Sequence, residues 1–299
     1  MNPHNIFNQL LLLFITLFPL RSIANPYEDY IAEYADLARD QMKLYHIPAS
    51  ITLAQGILES SAGRSTLARE GNNHFGIKCH SEWKGPSMLR NDDLPDECFR
   101  VYDSPADSFR DHSLFLLRKR YAPLFDLDPT DYAGWAHGLK RCGYATDPNY
   151  ATRLISIIEL YSLYNFDSDK IREWEETAEY IHKTLMDKHL LRKMRGSIYY
   201  VIAQPGDTYA KIAKELKIPR QKLMAYNDRT HDGEIPAWQE VYLQEKPDTP
   251  PEGIKTATIG DGETMHSVAQ RFGMRLSTLR KLNPEATDIP GTKLNLVAK

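Results

Sequence analysis

Cysteine is scarce: the 299 residues hold three, Cys79, Cys98 and Cys142. No CxxC pair and no HExxH run occurs, so the spacings of common zinc sites are missing, and no metal or cofactor is expected. Surplus positive charge is missing too. The 37 Lys and Arg against 40 Asp and Glu leave a formal net charge of -3, which removes the basic face that nucleic-acid binding demands. The apolar run from Leu10 to Leu20 is too short to span a bilayer comfortably. Small residues follow it at Ser22 and Ala24. Residues 1–24 are therefore expected to be a secretory signal cut after Ala24. No Lys or Arg precedes the run, which leaves a retained N-terminal anchor open, and no Cys follows it to carry a lipid. Export to the periplasm, the cell envelope or the exterior makes disulfides possible. An odd count leaves at least one thiol unpaired within the chain. Cys79 and Cys98 bracket a stretch rich in Gly, Pro and Asp and are the favoured pair, with three reduced thiols as the alternative.

Length suits two or three domains. Apolar residues Tyr27, Tyr30, Ile31, Tyr34, Leu37 and Ala38 recur at helical steps over residues 27–46. Pro48 suits the first turn of a second helix, through Ile51, Ala54 and Leu58, and Gly63 stops it. Residues 71–102 lose the helical period, so loops and a short β-hairpin are expected. Helices are expected again over residues 104–122, 129–140 and 148–164. Residues 25–166 thus read as a mostly helical domain with one small β lobe. Residues 167–196 are charged, with a narrow apolar seam at Ile171, Trp174, Ala178, Ile181 and Leu185. A connecting helix docked on a neighbouring domain is expected there; the seam is short for a coiled coil, and no stable protein partner is evident.

The last hundred residues repeat. Gly206-Asp207-Thr208-Tyr209 recurs as Gly262-Glu263-Thr264-Met265, Ile212-Ala213 as Val268-Ala269, Leu223 as Leu279, and Asn227 as Asn283. Ile235-Pro236 answers Ile289-Pro290, and each copy ends in a strand, QEVYL or TKLNL. Each copy reads strand, two short helices, strand. The copies occupy residues 197–245 and 255–299, with 246–254 as a Pro- and Thr-rich linker.

These repeats resemble LysM modules, small βααβ domains that bind glycans containing N-acetylglucosamine. The resemblance implies glycan contacts at Asp207, Thr208, Tyr209, Glu263 and Thr264, although Asp and Thr at such positions also cap helices. The second copy departs at Ala257, where the first has Val201, and at Met265.

Residues 27–166 resemble the glucosaminidase domain of family 73 glycoside hydrolases. The resemblance rests on Ala54-Gln55-Gly56-Ile57-Leu58-Glu59-Ser60, Asn72-Asn73-His74-Phe75-Gly76-Ile77-Lys78, Phe99-Arg100-Val101-Tyr102, and Gly143-Tyr144-Ala145-Thr146-Asp147 with Tyr150. It implies a lysozyme-like fold, with Glu59 as the general acid. Physical chemistry agrees: Glu59 falls at a helix C-terminus, where the dipole disfavours a carboxylate, and Ile51, Leu58 and Phe75 are placed to desolvate it. A second carboxylate is expected on the β lobe among Glu82, Asp92, Asp93, Asp96 and Glu97. Asp93 is the best positional match, with Asp92 next; either is also a turn former. Tyr144 and Tyr150 resemble the family's cleft tyrosines, with Tyr144 orienting the acetamido group or a water. Phe75 and Trp83 are expected sugar-stacking faces, and Asn73 a further substrate-side residue that fixes its loop.

The expected fold is therefore α+β, a lysozyme-like helical domain with a β lobe followed by two βααβ modules. The expected reaction is endo-hydrolysis of the β-1,4 bond after N-acetylglucosamine in peptidoglycan glycan strands. The rivals are a muramidase or lytic transglycosylase on the same glycan, and a non-catalytic glycan-binding scaffold. The modules, which carry none of the four motifs, are expected to act as a tether that leaves turnover of short soluble glycans unchanged.

Overall fold

The computed structural model describes residues 25–81, 83–92, 94–168, 189, 191–194, 198–251 and 253–298. The expected secretory signal, most of the expected connecting helix (169–188), Glu82 and Asp93 lie outside the described residues. The expected class holds: a mostly helical domain with a small antiparallel hairpin precedes two modules of strands and paired short helices.

Helix α1 (Pro26–Tyr45) opens with Asn25, whose side chain accepts from the Tyr27 amide at 3.1 Å, and with Pro26 in the first turn. Its apolar stripe of Tyr27, Tyr30, Ile31 and Ala38 faces α2 (Ala49–Ser60). Every residue of α2 from Ala49 to Ile57 is buried, the pattern of a helix inside a core rather than on a surface. Gly56 permits that burial: a Cβ there would stand 2.4 Å from the Tyr30 hydroxyl. The N-terminus of α2 has no cap of its own. Asp167 supplies one from 117 residues away, taking the Ser50 amide at 2.8 Å and the Ser50 hydroxyl at 2.6 Å. Burial pushes the Asp167 carboxyl up to about 6 against these hydrogen bonds.

Around α2 stand α3 (Thr66–Gly71), α4 (Pro105–Leu116, capped by Ser104), α5 (Tyr132–Arg141, capped by Asp131) and α6 (Tyr150–Leu160). The β lobe is the hairpin β1 (Ser87–Arg90) and β2 (Glu97–Arg100), in antiparallel register from Ser87 opposite Arg100 to Arg90 opposite Glu97. A disulfide joins Cys79 to Cys98, with Cα atoms 5.4 Å apart, and Cys142 is free. It ties the strap after α3 to β2. Replacing both cysteines by serine is expected to destabilise the β lobe by roughly 3 kcal/mol in the chain-entropy view. Denaturant melts of the double variant would measure this. Unchanged melts, or peptide mapping of the non-reduced protein that finds Cys79 and Cys98 as free thiols, would overturn it.

The first module pairs β3 (Arg192–Met194), β4 (Ile198–Ile202) and β5 (Glu240–Tyr242) in that order, with α7 (Tyr209–Leu216) and α8 (Arg220–Tyr226) beside them. The expectation of helix is thus corrected at Arg192–Met194. Arg192–Met194 is a strand, because pairing with β4 satisfies its backbone groups and Arg192 reaches Ser156 and Glu159 on α6. The second module consists of β6 (Thr256–Thr258), α9 (Met265–Arg271), α10 (Leu276–Leu282) and β7 (Lys293–Asn295), around its own core of Ile259, Val268, Leu279 and Leu294.

The first module is not set apart from the helical domain but packs on it. Strand β4 alternates. Val201 joins Tyr209, Ile212, Leu223 and Val241 in the module's own core. Ile198, Tyr200 and Ile202, with Trp238 and Tyr242, belong to the core of the helical domain. Trp238 meets Tyr27 edge-on at 5.4 Å and Tyr161 at 6.1 Å. The second module packs on the first: the Tyr242 hydroxyl donates to the Gln270 carbonyl at 2.6 Å, and the Gln270 side-chain amide donates to the Asn227 Oδ1 at 2.9 Å. The second module also touches the β lobe, where the Asn91 amide donates to the Asp261 carboxylate at 3.2 Å. Among the described residues no helix is long and apolar enough to cross a membrane.

Candidate active site

The C-terminal end of α2, the strap 73–80, the β lobe, the 143–147 loop and α6 enclose a cleft of about 440 Å³. Glu59 lies in it, one residue before the end of α2. Its carboxyl is pushed up to about 7, chiefly by desolvation. A hydrogen bond from Tyr150 opposes the rise, the charges of Asp92 and Asp147 add to it, and Arg153 opposes it. Gly76 takes φ +61, a conformation that L side chains rarely adopt, and brings the strap's backbone against Glu59; its missing Cβ would lie 4.0 Å from Oε2.

A chain of buried polar groups fixes the acid. His112 on α4 is held down to about 3 by burial, so it is neutral at ordinary pH. Its Nε2 lies 3.1 Å from the Gln55 Oε1, which only accepts, so Nε2 carries the proton. The Gln55 Nε2 then donates to the Tyr150 hydroxyl at 2.9 Å. That hydroxyl, already accepting, turns its own proton to Glu59. Gln55 stands one helical turn before Glu59, on the same face of α2. That spacing is legible in the sequence, whereas His112 arrives from α4 and carries no local signal.

A second chain crosses the cleft wall. Arg153 on α6 sends Nη1 to Asp147 at 3.3 Å, and its Nε and Nη2 to both carboxylate oxygens of Glu240 at 2.8–3.0 Å. Glu240 belongs to β5 of the first module and is fully buried. Arg271 of the second module also lines the cleft. Asp147 closes the fourth motif, but none of Arg153, Glu240 and Arg271 stands out in sequence as a site residue, since their meeting depends on how the modules dock.

The other expected residues divide. Tyr144 lines the cleft, stacks on Tyr150 at 5.6 Å and donates to the Phe75 carbonyl at 3.4 Å. Tyr150 lines it too, but it is buried and holds Glu59 rather than offering a sugar face. Asp92 lines the cleft, 3.0 Å from Lys78. Asp93 lies outside the described residues. Phe75 reaches the wall with one face stacked on His112 at 3.9 Å and Phe109 edge-on at 4.8 Å, so it serves as packing, not as a stacking platform. Trp83 is not in the cleft. Its indole donates to the Pro86 carbonyl, lies under the Arg100 guanidinium and lines a separate hollow with Tyr102 and Asp111. Asn73 is buried and spends its amide on Ile77 and Arg100, shaping the strap without reaching the cleft.

In the modules, Thr208 and Thr264 cap α7 and α9. Asp207 accepts from the Gln204 amide and from His189, and Glu263 accepts from the Gly260 amide and pairs with Arg271. Tyr209 is 3% exposed within the first module's core, which removes it as a glycan contact.

A lone proton-bearing carboxyl, held by a tyrosine in an open cleft of a small helical domain with a β lobe, defines a glycoside hydrolase domain with two appended modules. Sequence comparison makes the assignment particular. Residues 35–163 match the glucosaminidase family, described as mannosyl-glycoprotein endo-beta-N-acetylglucosaminidase, and residues 201–242 and 257–296 match the LysM domain. It is similar to the exo-glucosaminidase LytG of Bacillus subtilis, 36% identical over 41% of this chain and 47% of the relative. It is similar to the peptidoglycan hydrolase FlgJ of Salmonella typhimurium, 33% identical over 44% of this chain and 45% of the relative. The autolysin of Enterococcus faecalis is 25% identical over 91% of this chain and 40% of its own length. The chain thus spans less than half the length of these relatives.

Proposed function

We propose that the chain is an exported peptidoglycan hydrolase that cuts the β-1,4 bond after N-acetylglucosamine inside glycan strands, and that its LysM modules hold it on the wall. The observation that carries the reading is Glu59: a carboxyl at the end of α2, kept protonated to about pH 7, with its orientation set by Tyr150. A protonated acid there delivers its proton to the glycosidic oxygen as the bond breaks. A carboxylate on the β lobe supports the positive charge growing at the sugar carbon or activates water. Asp93 and Asp92 share that assignment, and Asp92 is the one seen lining the cleft. Tyr144 orients the acetamido group. The modules contact glycan through the turns at Asp207-Thr208 and Glu263-Thr264, whose side chains brace those turns. The names of the relatives favour a wall substrate, and the Cys79–Cys98 disulfide suits an oxidising compartment outside the cytoplasm.

Digestion of purified peptidoglycan with fragments resolved by mass spectrometry tests the reading. Fragments with a reducing N-acetylglucosamine end are expected. Reducing muramic ends would make it a muramidase, anhydro-muramyl ends a transglycosylase, and no fragments a binding scaffold. In the same assay Asp93→Asn is expected to lose more activity than Asp96→Asn or Glu97→Gln; a larger loss in Asp92→Asn moves the supporting role one residue back.

A further inference from the structure

Glu240 is an unusual residue for a glycan-binding module. It is a carboxylate in a strand, fully buried, and its partner lies in another domain. Such a charge is expensive to desolvate unless it is paired and hydrogen-bonded. Here the pairing is bidentate, and it occupies Nε and Nη2 of Arg153 while Nη1 goes to Asp147. The guanidinium is therefore committed to two anions before it meets a third, Glu59, whose carboxyl it also influences across the cleft.

We infer that Glu240 makes the first LysM module part of the catalytic centre: as a positioning residue, it holds Arg153 on the module's side and keeps it from pairing with Glu59. Without that charge Arg153 retains one anion, Asp147, and the group beside the acid goes from one net negative charge to neutral. Losing a negative charge there favours the ionised carboxylate, so Glu59 gives up its proton at lower pH and fewer molecules hold the proton the reaction needs. The inference rests on the reading of Glu59 as the general acid.

The charged and titratable groups around this chain come from several elements. Glu59 faces Tyr144, Tyr150, Asp92, Asp147 and Arg153. Arg153 faces Asp147, Glu240 and Tyr242. Glu240 faces Arg153, Asp147, Tyr242 and, from β4, Tyr200, while Gln270 of the second module donates to its backbone carbonyl at 3.2 Å. The tyrosines stay neutral as burial raises them, so Glu240 is the module's one ionised contribution to the group among the described residues.

The test is the pH dependence of kcat/KM on short soluble glycan oligomers, with full-length protein. In Glu240→Gln, which keeps shape and loses charge, the basic limb is expected to move to lower pH by roughly one unit, with about a fivefold loss at pH 7 and about a tenfold loss above pH 8, carried by kcat rather than KM. Glu240→Asp is expected to keep the limb where it is, even if the rate falls at all pH values. Glu245→Gln, an exposed site in the same module, is expected to match the parent. A uniform loss at every pH in Glu240→Gln, or no loss, would reduce Glu240 to an interface contact and overturn the inference. If Glu240→Gln fails to fold, the double variant Arg153→Gln/Glu240→Gln leaves no buried charge unpaired across the interface. Its limb is expected to lie above the parent's, and an unmoved limb overturns the inference equally. A Glu59→Gln variant that stays active would defeat the general-acid reading itself, whereas an inactive one with an unmoved Glu240→Gln profile would defeat this inference alone.

Discussion

Glu59→Gln is expected to abolish glycan cleavage, by at least about a hundredfold, and at the same time to make the folded protein more stable at neutral and alkaline pH. Both effects come from the same carboxyl. As an amide the side chain accepts from Tyr150 as before but has no proton to give. The stability gain follows from linkage. Folding raises the Glu59 carboxyl from its ordinary 4.5 to about 7. The folded state therefore holds that proton more tightly than the unfolded chain. Its stability is greatest below pH 4.5, where both states are protonated, and declines as pH climbs from 4.5 to about 7. Above pH 7 the deficit is constant, at up to about 3 kcal/mol. An amide carries no such deficit, so the variant and the parent should melt alike near pH 4 and diverge by several degrees at pH 8. Thermal melts at the two pH values, beside activity on purified peptidoglycan, check the pair of effects. Retained cleavage would remove Glu59 as the acid, and equal melting at pH 8 would show that its carboxyl is not raised by burial.

Deleting residues 197–299 is expected to impair turnover of short soluble glycans by tenfold or more, as well as nearly eliminating activity on intact sacculi. Removing residues 249–299 alone is expected to harm mainly the latter. The difference lies in what each module covers. The first module buries Ile198, Tyr200, Ile202, Trp238 and Tyr242 against the helical domain, and each such side chain is worth roughly 1.5–3 kcal/mol of burial. Its loss bares Tyr27 and Tyr161 and takes Glu240 from Arg153. Among the described residues the second module contributes Arg271 alone to the cleft lining, so on the proposed function its principal service is local concentration on an insoluble polymer. Rates of the three proteins on soluble oligomers and on sacculi, at matched concentration, decide the matter. Full soluble-substrate activity in the 197–299 deletion would restore a pure tether.

Much of this was legible in the sequence. The apolar steps over residues 27–46 give α1, Pro48 marks the start of α2, and the Thr208 and Thr264 turns open matching helices, because caps and periods act within a few residues. The repeat marks two modules for the same reason. Glu59 can be placed at the end of α2 from the run of buried residues before it. Even the docking of β4 left a trace: Ile198-Tyr199-Tyr200-Val201-Ile202 is too apolar for a strand with one wet face.

What sequence alone determined, then, was most of the elements, the repeat and the place of Glu59 at the end of α2, all set by interactions within a turn or a strand. The tertiary structure decided the rest. It capped α2 with Asp167 from 117 residues away, and brought Glu240 to Arg153 across 87. It turned the face of Phe75 to His112 and placed Trp83 in another hollow. Those outcomes depend on which buried charges and rings found partners when the domains closed on each other. Such pairing is enforced by the desolvation penalty of burial, which has no counterpart in an extended chain.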